Sequence, residues 1–127
     1  MIIAGFGFRA SASSASLVSA YEQATSGQAI SGLAIAGLAT AEDKAQAACL
    51  TSVATSLDLP IHAISPAAIA AARPITQSRR VLQERATGSL AEAAALAAAG
   101  AGARLISPRH ISQDGKATCA LAIGDDI

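Results

Sequence analysis

Gly5-Phe6-Gly7-Phe8-Arg9, followed by Ser11 and Ser13, is the segment of this chain whose residue types come closest to a chemical site. Glycines at positions 5 and 7 let a ligand approach the backbone closely. Arg9 adds a planar fork that suits a carboxylate or a phosphate. A helix beginning just after it, capped by Ser13 or Ser14, would offer unpaired N–H groups and the positive end of a dipole. Together these describe an anion site. Thr40 and Lys44 could add a hydroxyl and an ammonium, and Thr87-Gly88-Ser89 is another helix start rich in small polar groups.

Other chemistries find less support. Gly5-Phe6-Gly7-Phe8-Arg9-Ala10 formally fits G-x-G-x-x-A, but no acid follows at the end of the second strand, where a dinucleotide's ribose would need one. Glu42 and Asp43 open a helix instead. His62 lies within a strand and reads as a packed core histidine, and His110 reads as exposed. No spacing proposes a Ser-His-Asp or Cys-His set, and no carboxylate pair points to glycosidase chemistry. Cys49 and Cys119 lack Cys-x-x-Cys spacing and read as reduced core thiols of a cytoplasmic protein. No cofactor and no metal is expected.

The elements that must position these residues follow from periodicity. Residues 2–8 are a short apolar run with β-branched residues, as a buried parallel strand requires. A helix with Leu17, Val18, Tyr21 and Ala24 on one stripe follows and ends at Gly27. Residues 29–38 predict a second strand. A helix is expected from Glu42 to Leu57, with Thr40 and Asp43 as a variant capping box. Residues 59–64 predict a third strand, and Ser65-Pro66 opens a short helix stopped by Arg73-Pro74. A helix over 78–85 is expected next. Ser89-Leu90-Ala91-Glu92 is a capping box for a helix ending at Gly100. Residues 103–106 and 117–123 predict two strands, with an Asp114-Gly115 hairpin signal between them.

The pattern βαβαβ followed by a hairpin defines an α/β fold. It predicts a three-layer α/β/α arrangement with a mixed, mostly parallel sheet of about five strands. The length, 127 residues, corresponds to one domain spanning 1–127. In such sheets ligands bind beyond the carboxyl ends of the strands, where Gly5–Ser13, Ala39–Lys44 and Ser65-Pro66 should meet.

Composition narrows the partners. Hydrophobic residues are 52% of the chain and aromatics 2%, so the core must be Ala, Leu, Ile and Val. Charged residues are only 14%, which leaves apolar surface compatible with a homo-oligomer. Nine basic and nine acidic side chains cancel, so nucleic-acid binding, which needs a basic field, is not expected. Arg73, Arg79, Arg80 and Arg85 form a local basic patch, read as a solvated helix face. The N-terminus lacks a basic region ahead of its apolar run, and no run is long enough to span a bilayer.

Four motifs in order carry a family resemblance. They are Gly5-Phe6-Gly7-Phe8-Arg9-Ala10-Ser11-Ala12-Ser13, similar to G-[IVF]-G-x-R-x-x-[AT]-S; Leu38-Ala39-Thr40 with Lys44; Glu84-Arg85-Ala86-Thr87-Gly88 with the helix opened by Ser89-Leu90; and Pro108-Arg109 with residues 117–122. Over nearly its whole length the chain resembles the CobE family, which is similar to the C-terminal domain of CbiG in cobalamin (vitamin B12) biosynthesis. The resemblance implies a cytoplasmic protein that meets a precorrin-type tetrapyrrole bearing carboxylate side chains, and other enzymes of that pathway. Gly5, Gly7, Phe8, Arg9, Ser13, Thr40, Lys44, Thr87, Gly88 and Ser89 would contact the ligand. Two activities stay open. One is a carrier or accessory factor of the aerobic route. The other is a hydrolase opening a precorrin lactone or ester, as CbiG opens its δ-lactone. In that case Ser13, Thr40 or Ser89 would position water or a hydroxyl, and Arg9 or backbone N–H groups would stabilise the oxyanion.

Overall fold

A computed structural model of the chain describes residues 2–26, 35–72, 87–100 and 103–124. The first strand, β1 (Ile2–Phe8), is buried along its whole length, as its apolar run predicts. Helix α1 (Ser14–Ser26) leads towards β2 (Ile35–Ala41), and a 3₁₀ turn (Glu42–Lys44) precedes α2 (Ala48–Leu57). Strand β3 (Ile61–Ile64), helix α3 (Pro66–Ala72), helix α4 (Thr87–Ala99) and the hairpin β4 (Arg104–Ile111) and β5 (Ala117–Ile123) complete the described elements. The sheet order is β3-β2-β1-β5-β4. β1 pairs with β2, and β2 with β3, in parallel; β5 is antiparallel to both β1 and β4. The mixed α/β sheet ending in an antiparallel hairpin therefore forms as the element pattern requires.

The alternation of β1 divides the core into two layers. Ile2, Ala4, Phe6 and Phe8 face α1 and α2, where Leu17, Ala20, Leu50 and Val53 cover them. Ile3 faces the opposite layer, where Ala94, Ala95 and Ala99 of α4 and Ile69 of α3 pack. Full burial of Leu17 or Leu50 contributes about 1.5–3 kcal/mol each. Ala is small, so α4 can lie close on the sheet. A Cβ placed on Gly5 would fall 2.7 Å from the Ala95 nitrogen and nearer still to the Ala91 carbonyl oxygen.

Several local expectations are corrected. The helix expected over Glu42–Leu57 is broken into a 3₁₀ turn and α2. Its Thr40 cap does not form: Ala41 precedes the turn with no side-chain cap bond, and Thr40 is a buried strand residue. His62 is exposed rather than packed in the core, because β3 is an edge strand; its ring rests over Gly37. His110 is half-buried rather than exposed, because β4 extends through it, opposite Cys119. Helix α4 starts at Thr87, so Ser89 lies inside its first turn instead of capping it. Gly100 closes that helix with φ +100°, as expected. Ser65 Oγ accepts the Ala68 N–H at 3.2 Å and caps α3. The expected stops at Gly27 and Arg73-Pro74, the start of the second strand over 29–34, the helix over 78–85 and the four-arginine patch lie outside the described residues. Among the described residues no helix is long and apolar enough to cross a membrane.

Candidate functional site

Three parallel strands end at the same edge of the sheet, which brings the segments after Phe8, Ala41 and Ile64 together. Helix α4 joins them from the other face. Its Ala99 lies over Gly124, opposite the start of β1, and its Ala91 and Ala95 lie over Gly5. It therefore runs antiparallel to β1 and carries the Thr87-Gly88 backbone to the carboxyl edge. The helix start at Thr87-Gly88 thus lies at the same edge as the three strand ends. The side chains of Thr87 and Ser89 lie outside what is described.

The end of β1 is held firmly. Thr40 Oγ1 donates to the Phe6 carbonyl at 2.9 Å, Thr118 Oγ1 to the Gly7 carbonyl at 3.3 Å, and Lys44 Nζ to the Phe8 carbonyl at 2.6 Å. Three consecutive carbonyls thus accept side-chain donors from three different segments. The Lys44 ammonium also sits 5.1 Å from the centre of the Phe8 ring, within cation–π range. An ammonium has three donors, so Lys44 keeps N–H groups for a further partner.

The close approach that Gly5 permits is that of α4, whose Ala91 and Ala95 fill the space above it. Phe8, Lys44 and the loop after Arg9 instead border a cavity of about 590 Å³ on the α1–α2 face, with Ala10, Ala12, Asp43 and Cys49 in its wall. That volume lies within the range of small-molecule sites, roughly 300–1,000 Å³. Arg9 is exposed beside it, its N–H bonded to the Lys116 carbonyl at 3.0 Å and its own carbonyl accepting the Ala12 N–H at 3.0 Å. A second cavity of about 610 Å³, between the end of α2 and the start of β3, contains none of the predicted site residues.

The α1 N-terminus is less open than expected. Ser13 is the cap: its Oγ accepts the Ser16 N–H at 3.3 Å, and Ser16 Oγ accepts the Ser13 N–H at 3.2 Å. This is a reciprocal capping box with Ser in the place of the usual Glu or Gln. Ser16 Oγ in turn donates to Asp114 Oδ2 at 2.5 Å. The hydroxyls of Ser13 and Thr40 are thus held in structural bonds. Among the described residues no cluster of three or more His, Cys, Asp and Glu could hold a metal ion. Cys49 and Cys119 are free thiols, and burial pushes the Cys119 thiol well up.

Asp114 was legible only as a turn residue. Hydrogen bonds from Ser112 and Ser16 and from the Lys116 N–H pull its carboxyl from 3.8 to about 2. A lowered folded pKa means that the ionised form stabilises the fold. That contribution is complete above about pH 4 and fades as pH falls through about 2. Asp114→Asn is therefore expected to be less stable than the parent at pH 7, with the difference closing between pH 4 and pH 2. Denaturant midpoints across that range measure it. A gap of constant size would mean that the charge of Asp114 is irrelevant.

These features define a class: a three-layer α/β domain with a cavity at the carboxyl edge of its sheet, bordered by the end of β1 and the segments that follow β1 and β2. The chain belongs to the family described as cobalamin synthesis G C-terminus, which matches residues 2–122. It is 34% identical to cobalamin biosynthesis protein chiG from Agrobacterium tumefaciens strain C58, over 99% of this chain and 100% of that one, with a TM-score of 0.75. It is 31% identical to CobE, a protein from the cobalamin (vitamin B12) biosynthetic pathway, over 96% of this chain and 89% of that one, with a TM-score of 0.75. A Sulfolobus solfataricus protein described as a cobalamin biosynthesis protein G homolog shares the fold. It is 16% identical over 99% of this chain and 37% of its own length, with a TM-score of 0.71. No curated protein gives a sequence match.

Proposed function

We propose that this protein binds a precorrin-type tetrapyrrole by its carboxylate rim at the carboxyl edge of the sheet. There it holds the intermediate and hands it to other cobalamin-pathway enzymes in the cytoplasm. The observation that carries this reading is the cavity beside Phe8 and Lys44, bordered by the loop that presents Arg9. Corrin precursors combine a wide apolar ring with acetate and propionate groups. Ala10, Ala12 and the Phe8 ring suit the former, while Arg9, Lys44 and the helix N-termini suit the latter. Carriage is favoured over hydrolysis because the Ser13 and Thr40 hydroxyls are occupied in a helix cap and a strand bond.

Incubation with a ring-contracted precorrin, followed by mass and absorbance, separates the two activities. Co-purification with unchanged ligand mass is expected, and turnover at catalytic amounts of protein would overturn the carrier reading. Arg9→Ala is expected to weaken binding roughly tenfold or more, since a charge-assisted hydrogen bond is lost. Its fold should be intact, because the Arg9 side chain is exposed. Equal affinity in a titration would remove Arg9 from the site.

A further inference from the structure

We infer that Asp114 is a positioning residue for the loop Arg9–Ser13, tying both ends of that loop to one carboxylate. The inference rests on the binding reading above, which makes this loop the anion-binding element. At the start of the loop, Asp114 Oδ1 accepts the Lys116 N–H at 3.0 Å, and the Lys116 carbonyl accepts the Arg9 N–H at 3.0 Å. At its end, Asp114 Oδ2 accepts the Ser16 hydroxyl, and Ser16 forms the reciprocal cap with Ser13. Ser16 gives its proton to Asp114, so in the 3.3 Å Ser13–Ser16 hydroxyl contact Ser13 must be the donor. The charge of Asp114 thereby sets the direction of the whole chain of bonds.

A turn requirement explains only part of this. The bonds from Ser112 Oγ at 2.6 Å and from Lys116 N–H are those of an aspartate folding its own turn. The bond from Ser16 is different, because it crosses from the β4–β5 turn to α1. Gln113 N–H reinforces the crossing by donating to Ser19 Oγ at 3.2 Å. Asp114 itself is exposed and packs into no core. Its bond to Ser16 therefore acts on the loop between β1 and α1. A loop fixed before binding loses less conformational entropy when the ligand arrives, which strengthens affinity without a direct contact.

Two measurements on the full chain test this. The first is amide hydrogen exchange without ligand. Asp114→Ala is expected to speed exchange at the Arg9 and Ser16 amides roughly tenfold while leaving Leu38, bonded to the Pro60 carbonyl, unchanged. Equal acceleration at Leu38 would indicate global destabilisation and overturn the inference, as would no change at Arg9. The second is titration with cobyrinic acid, a stable corrin with free acetate and propionate groups. Asp114→Ala should weaken binding roughly tenfold in the parent and less than twofold in Arg9→Ala, because its effect passes through Arg9. The same loss in both backgrounds would overturn the inference while leaving the binding reading intact. Failure of the parent to bind any corrin carboxylate would sink the binding reading, and exchange would still decide whether Asp114 holds the loop. Should Asp114→Ala not fold, Ser16→Ala removes the Ser16–Asp114 bond together with the Ser13–Ser16 cap and leaves the Lys116 link to Arg9. It is expected to speed exchange at the position-16 amide with Leu38 unchanged, and no acceleration at position 16 would overturn the inference.

Discussion

Gly5→Ala is expected to lower the unfolding free energy by at least about 3 kcal/mol, the upper end of what overpacking costs. The obstacle is backbone: the new methyl would meet the Ala91 carbonyl oxygen and the Ala95 nitrogen, neither of which can rotate away. Relief would require α4 to lift from β1, and with it the packing of Ala94, Ala95 and Ala99 against Ile3 and Ala122. Native stabilities are only about 5–15 kcal/mol, so a low yield of folded protein or a melting temperature lower by about 10 °C or more is expected. Trimming the facing side chain in Gly5→Ala/Ala95→Gly should not restore stability, because the backbone contacts remain. A melting temperature within a degree or two of the parent would show that α4 does not sit this closely on the sheet.

Phe6→Ala is expected to cost about 3–5 kcal/mol. Phe6 is fully buried, and its ring stacks on Tyr21 with centroids 6.4 Å apart. Ala4, Ala20 and Ala24 share its cluster, and such short side chains cannot swing in to fill the space a lost ring leaves. The stacking itself contributes about 0.5–1.5 kcal/mol beyond area. Phe6→Leu, which keeps most of the volume, should cost under about 1.5 kcal/mol. The chain has one Tyr and no Trp, so intrinsic fluorescence reads this site directly. The midpoint in denaturant should drop with an unchanged slope. A loss below about 1 kcal/mol would mean the core closes around the gap.

Much of the fold could be read from the chain because local signals and tertiary need agree. Strand β5 begins and ends where residues 117–123 suggest, since an Asp-Gly turn precedes a run that is apolar except for Thr118. The break in the helix expected over Glu42–Leu57 was hidden. Ala41 to Ala47 are compatible with a helix, and the 3₁₀ turn there goes with a tertiary bond, Lys44 Nζ to the Phe8 carbonyl, that no local signal announces. His62 was misread because alternation cannot say whether a strand is central or an edge. Gly5 shows a related limit: a glycine announces that something comes close, and here the visitor is a helix. Arg9 and Lys44 were legible as cations near strand ends, and the structure puts them just after β1 and β2. The role of Asp114 was not, since its partner Ser16 is brought near only by the β4–β5 hairpin docking on α1.

The sheet order has a consequence for how the chain finds its fold. β1 is the central strand, and one of its two neighbours, β5, comes from the other end of the chain, with Ile2 facing Ile123. The middle of the sheet closes only after nearly all of the intervening residues exist. High sequence separation slows folding, because the loop must be closed before the contact repays it. β1 must therefore wait with one hydrogen-bonding edge open during synthesis. Its two glycines, poor strand formers, temper the tendency of that waiting edge to pair with the wrong partner.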